Sequence, residues 1–250
     1  MTDARINAVI NFVREKSCVA DVGADHGYLS IELINSGRAT KVIATEKNPQ
    51  PLSSARKNIS AAGLDNVIDT RLGDGLKILS AGEVDTICIA GMGGALITKI
   101  LDKSPEVVNS ARQLVLQPMN AVEKVRTWLT ENGWTIDDED LAEVSGVIYE
   151  IISAVKNPAA VTKNFHRGNV TLRTISSAAQ QNPSELQLLT SKKFKRDSSP
   201  LAKKFLTQRL EKFQHVLDEM SKSPAARSSK KFSATQAEVE TLKQKISAAP

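Results

Sequence analysis

Two hydropathy periods alternate along the first two thirds of the chain. Apolar runs of strand length fall at 18–23 (CVADVG), 41–46 (KVIATE), 67–74 (VIDTRLGD), 84–91 (VDTICIAG) and 112–118 (RQLVLQP). Between them, apolar positions recur every three or four residues at about 28–36, 50–62, 94–103 and 121–132, which predicts helices; another helix is expected over about 3–16. Parallel strands need long crossovers, and a helix after each strand supplies them, so this alternation predicts a parallel sheet covered on both faces. The rhythm then changes. WTIDDEDLAEVSG and VIYEIISAVK, over 134–155, read as two strands joined at Ser145-Gly146 with no helix between them. The expected result is an α/β fold with a seven-stranded, mostly parallel sheet.

Residues 156–199 form a polar connecting segment with a helical possibility only near 170–181. From Pro200 the period is helical again. Leu206, Leu210, Phe213, Leu217 and Met220 make one stripe, and after SKSPAARSSKK a second follows at Phe232, Val239, Leu242 and Ile246. Two stripes split by a Pro-containing break predict an antiparallel helical hairpin of coiled-coil type over 200–250. Each stripe spans little more than two heptads, so neither helix is expected to stand alone. The expected division is therefore 1–155, 156–199 and 200–250.

Charge sorts along the same boundary. Residues 1–155 carry 15 Lys and Arg against 21 Asp and Glu, and the remainder carries 18 against 7. A basic tail on an acidic domain suits a polyanionic partner, because lysine and arginine release phosphate counterions on binding; a solvated lysine-rich helix face accounts for the charge equally well. No run of about eighteen apolar residues is present, so no membrane span is expected. The opening MTDARINAVINFVREK carries acids and does not read as a secretion signal. Cys18 and Cys88 both lie in apolar runs and read as reduced core residues of a cytoplasmic protein. With three histidines and no Cys/His spacing for a metal, no metal is expected.

Candidate chemistry sits in the turns, since ligands of open α/β sheets bind beyond the carboxyl ends of the strands. In DVGADHG, Gly23 and Gly27 let backbone approach a ligand, but Asp21 and Asp25 would repel a diphosphate and attract an ammonium group. S-adenosylmethionine has an ammonium and a sulfonium and no phosphate. Glu46 stands 23 residues after Gly23, where a carboxylate can accept both ribose hydroxyls, although alone it would pass for an ordinary exposed glutamate. Asp74 in LGDG can accept from an adenine amino group or serve simply as a helix cap. IAGMGGALI, with Gly91, Gly93 and Gly94 around Met92, exposes bare backbone, which makes room for a base or for close packing of helix on strand.

Together, DVGADHGYL, RLGDGL, IAGMGGALI with ILDKSP, and LVLQPMNAVEKVRTWLTENGW resemble the bacterial TrmK family over about 1–155, and the paired stripes after Pro200 resemble its C-terminal coiled coil. The segment 156–199 departs from the family pattern. The resemblance implies a Rossmann-like class I methyltransferase fold and transfer of a methyl group from S-adenosylmethionine to N1 of adenine 22 in the D-arm of tRNA. It implies that Asp21, Gly23, Asp25 and His26 line the methionine side of the cofactor, that Glu46 holds the ribose, and that Asp74 and Gly75 meet the adenine. Gly91 and Met92 would stand beside the transferred methyl, completing with Asp21 and His26 the candidate catalytic group. Tyr28, Gln117, Pro118 and Asn120 would border the target base, and neither His26 nor Tyr28 is assigned a proton-transfer role. The partners implied are tRNA, without membrane or metal; a monomer is expected, with a homodimer through the C-terminal helices as the alternative. A methyltransferase of another RNA site, of a small molecule or of protein, or a non-catalytic RNA-binding module, would share many of these features.

Overall fold

The computed structural model describes residues 3–156 and 200–248; the helical possibility near 170–181 lies outside the described residues. Contacts divide the chain into two units, Met1–Thr162 and Lys163–Pro250.

In the first unit the strands are β1 (Ser17–Val22), β2 (Ala39–Glu46), β3 (Ile68–Leu72), β4 (Thr86–Met92), β5 (Gln113–Pro118), β6 (Trp134–Val144) and β7 (Val147–Lys156). They form one sheet in the order β3-β2-β1-β4-β5-β7-β6. The first five are mutually parallel, and β7 runs antiparallel to both β5 and β6. The strand order reverses between β1 and β4, so a crevice opens above their carboxyl ends. The helices are α1 (Ala4–Phe12), α2 (Tyr28–Asn35), α3 (Pro49–Ala61), α4 (Gly94–Asp102), α5 (Pro105–Ser110) and α6 (Val122–Glu131).

Successive strand residues feed two separate cores, as the period of two requires. Val19, Val42, Cys88 and Val115 point to the face covered by α1, α2 and α3. Ala20, Ile43, Ile87 and Leu114 point to the face covered by α4, α5 and α6. Cys18 and Cys88 are free thiols, the second fully buried.

Local chemistry fixes the ends. The Asp3 carboxylate caps α1 by accepting from the Ile6 amide at 2.9 Å. Ser145 (φ 51°) and Gly146 (φ 83°) both take left-handed geometry, which lets a two-residue turn follow the twist of the hairpin strands. Arg126 on α6 is 3% exposed and pairs with Glu150 on β7 at 2.9 Å and with Glu139 on β6, tying the hairpin to the helix layer. Helix α1 stops at Phe12 rather than near 16, β3 ends at Leu72 rather than 74, and α5 appears in a segment to which no element is assigned from sequence.

The second unit contains α7 (Pro200–Ser221), α8 (Pro224–Arg227) and α9 (Lys230–Ala248). The Ser223 hydroxyl caps the short α8 by accepting from the Ala226 amide. Val239 and Leu242 of the second stripe are buried, as are Leu206, Phe205 and Ala202 of α7. The Arg209 guanidinium lies over two rings, 5.8 Å from the centre of Phe205 and 5.7 Å from that of Phe213.

Candidate active site

Beyond β1 the backbone turns sharply while strapped to its neighbour. The Gly23 and Ala24 amides both donate to the Thr45 carbonyl on β2, at 2.8 and 3.0 Å. Gly23 takes φ +76°, a left-handed geometry that favours glycine, and Met92 Cε packs against it, 2.2 Å from where a Cβ would stand. Asp25 follows at φ 51° with its carboxylate exposed, 3.8 Å from His26 Nε2. The Gly27 amide closes the turn on the Ala24 carbonyl and starts α2.

Asp21, near the end of β1, is 3% exposed. Its Oδ2 accepts from the Ser30 hydroxyl at 2.6 Å. Burial pushes its carboxyl up to about 6, against the lowering pull of the Ser30 bonds, and the charge of Glu46 adds a smaller upward push. Glu46, 8% exposed at the tip of β2, accepts from the Asn48 amide at 2.9 Å through Oε1.

Asp74 differs in kind from these two. Strand β3 ends at Leu72, so Asp74 lies two residues past the strand, its side chain exposed, with Lys77 at 2.5 Å and Lys103 at 3.9 Å. The hydrogen bond and charge of Lys77, with Lys103 beyond it, hold its carboxyl below the usual carboxylate range.

The fourth wall is two loops locked together. The Gly91 amide donates to Gln117 Oε1 at 3.0 Å, the Met119 amide to the Met92 carbonyl at 2.8 Å, and the Gly94 amide to the Asn120 carbonyl at 3.0 Å. A Cβ on Gly94 would fall 2.3 Å from the Ala121 carbonyl oxygen, so glycine is what allows the loops to touch.

These loops enclose a cleft of about 520 Å³ that collects Asp21, Gly23, Asp25, His26, Tyr28, Glu46, Asp74, Gly75, Gly91 and Met92. His26 and the exposed Tyr28 stand at its rim with ring centres 5.9 Å apart. None of the three residues expected at the β5 loop lines this cleft: Gln117 and Pro118 are buried, and Asn120 is exposed beside Gly93. A second hollow lies at the amino-terminal ends of β2 and β3, over Lys41, Arg56 and Lys57, away from this constellation. Among the described residues no group of three His, Cys, Asp or Glu is placed to hold a metal.

Arg5 was invisible to sequence reasoning. It reaches the cleft from α1, donating through Nη1 to Gln117 Oε1 at 3.3 Å, and its guanidinium lies 5.6 Å from the centre of the Tyr149 ring. Nothing in the pattern of α1 separates it from a solvated helical arginine; only the topology brings its partners near.

A family model described as a methyltransferase domain matches residues 2–152. The tRNA (adenine(22)-N(1))-methyltransferase of Bacillus subtilis is 35% identical over 150 residues, covering 60% of this chain and 63% of that protein, so the match spans just under two thirds of that relative's length. A Mycoplasma pneumoniae relative is 30% identical over 159 residues, covering 62% of this chain and 72% of its own length. The crystal structure of the B. subtilis m1A22 tRNA methyltransferase TrmK superposes with a TM-score of 0.78 at 27% identity, covering 98% of this chain and 99% of that one. Streptococcus pneumoniae Sp1610, solved in complex with S-adenosyl-L-methionine, gives 0.75 at 29% identity with 98% and 99% covered.

Proposed function

The chain belongs to the methyltransferase-domain family and, within it, to the TrmK group, and from that premise we propose that it methylates N1 of adenine 22 in tRNA, using S-adenosylmethionine. The observation that carries this reading is a buried carboxylate, Asp21, at the floor of a crevice that also collects Glu46, Asp74 and the backbone of Gly23, Gly75 and Gly91. An ionised carboxylate there is stabilised by a cationic ligand and would oppose a diphosphate.

The residues present fit that cofactor. The cleft volume lies in the range of small-ligand sites, roughly 300–1,000 Å³. Gly23 takes the left-handed turn that brings bare backbone to the crevice, and Asp21, Glu46 and Asp74 spread three carboxylates along it. Asp21 would accept from the cofactor ammonium, with Asp25 and His26 beside it. Glu46 would hold the ribose while Asn48 steadies its other oxygen. Gly75, with Asp74, would meet the adenine. When bound, the cofactor supplies a methyl group activated by its sulfonium.

The chain's own task is positioning. Adenine N1 already carries a lone pair, so no strong base is needed, and catalysis rests on holding the base in line and excluding water. Gly91 and Met92 would border the reacting groups, with Tyr28 at the rim stacking on RNA bases. Extruding a base engaged in folded tRNA costs roughly a few kcal/mol, which backbone contacts of the basic residues after 156 would offset. The segment 1–155 would thus be the catalytic part and 200–250 the RNA grip, in a cytoplasmic monomer or a dimer through the helical hairpin. No helix among the described residues is long and apolar enough to cross a membrane.

Incubation with unmodified tRNA and methyl-labelled cofactor, followed by nucleoside analysis, tests the reading. The expected product is N1-methyladenine; label recovered only in N6-methyladenine or on guanine rejects it.

A further inference from the structure

The geometry points to Arg5 as a phosphate anchor for the RNA strand that delivers the base, a role that rests on the tRNA reading above. Four carboxylates, Asp21, Asp25, Glu46 and Asp74, face the cleft. Such a field attracts a cationic cofactor and repels the backbone of the incoming substrate. Of the four, Asp74 is held by two lysines, Lys77 and Lys103, on the adenine side. On the Gly91 side the guanidinium of Arg5 is placed to reverse the field: its Nη1 lies 3.5 Å from where a Cβ on Gly91 would stand.

The contacts Arg5 makes are long ones. Nη1 donates to Gln117 Oε1 at 3.3 Å and to Met119 Sδ at 3.7 Å, and Nη2 meets Asp3 Oδ2 at 3.5 Å. Guanidinium–phosphate bonds run at about 2.7–2.9 Å and are roughly twice as strong as neutral ones, so a phosphate would displace these partners. The contrast with Arg126 is instructive, since that guanidinium is buried and committed to Glu139 and Glu150. Arg5 keeps 24% of its side chain exposed, and the Tyr149 ring under it fixes the plane from which its donors project. Exposed Met119 adjoins it, leaving that rim open to a large ligand.

The test compares wild type with Arg5→Gln and Arg5→Lys, each saturated with S-adenosylhomocysteine. Unmodified tRNA is titrated at several salt concentrations, and S-adenosylhomocysteine affinity is measured separately by calorimetry. Arg5→Gln is expected to bind tRNA about tenfold more weakly and to lose about 0.7–0.9 from the slope of log affinity against log salt, the signature of one phosphate contact. Arg5→Lys keeps the slope, and the affinity of Arg5→Gln for S-adenosylhomocysteine stays at the wild-type value. An unchanged slope in Arg5→Gln, or a parallel loss of S-adenosylhomocysteine affinity, overturns the inference and leaves Arg5 a scaffold for Gln117. Absence of salt-dependent tRNA binding by the wild type overturns the tRNA reading and this inference together.

Discussion

Asp21 meets two opposed demands, since the charge that would bind a cation is a charge the empty fold must bury. Its carboxyl is raised to about 6, chiefly by burial, so the folded state holds a proton that the unfolded chain has released. Its contribution is therefore most favourable below the ordinary carboxylate range and is lost as pH rises through about 6. At 1.36 kcal/mol for each pH unit, the cost at neutral pH is roughly 2–3 kcal/mol. Asp21→Asn keeps an oxygen for the Ser30 hydroxyl and removes the charge. Melting curves should therefore show the empty variant more stable than wild type near neutral pH, with the difference vanishing as pH falls toward about 4. The same variant should lose cofactor affinity. In the wild type, a cationic ligand favours the ionised carboxylate, so calorimetric affinity for S-adenosylmethionine should weaken as pH drops below about 6. An affinity flat from pH 8 to 5 would separate Asp21 from the ammonium.

Between elements, one wall of the cleft depends on two loops whose backbones meet at Gly94. Gly94→Ala would drive a methyl group into the Ala121 and Asn120 carbonyl oxygens, 2.3 and 2.8 Å from the Cβ position. These are backbone atoms and cannot rotate away. Denaturant unfolding should register a loss of at least about 1–3 kcal/mol, the usual cost of overpacking, and methyl transfer should fall with it. Arg126 makes a second junction. Arg126→Met leaves Glu139 and Glu150 buried against α6 without their guanidinium, which costs about 3–5 kcal/mol when such a pair is broken. Unfolding midpoints of the variant against wild type check the size of the loss. How far these elements could be read in advance follows from how local their causes are. The strands alternate strictly between two cores, and Ser145-Gly146 carries its turn in its own backbone preference, so sheet and hairpin were legible. Helix α5, six residues long, is too short to show a period. Asp74 was placed at a strand tip because VIDTRLGD looks continuous, yet β3 stops at Leu72 and the acid turns to Lys77. Burial of Gln117 and the approach of Arg5, 112 residues away in sequence, are set by the fold alone.

For the whole molecule, the basic charge lies in a different part of the chain from the cleft. The first 155 residues carry 21 acids to 15 bases, whereas the rest carry 18 bases to 7 acids. An acidic domain gains little from counterion release, so affinity for tRNA should reside mostly in the second part, with local steering at the cleft. The first unit also owns both faces of its sheet, since the two cores are built from residues between Ala8 and Ala154. A chain ending at Lys156 is therefore expected to fold, to bind S-adenosylhomocysteine as the full chain does, and to lose roughly a hundredfold or more in tRNA affinity near physiological salt. Its remaining tRNA binding should also depend less steeply on salt. Calorimetry for the ligand and salt-series titration for the RNA check the two halves separately. Should the shortened chain methylate tRNA at the full rate and affinity, the polyanion-binding surface must lie on the first unit, and the basic excess beyond Lys156 becomes a solvated face with no part in substrate capture.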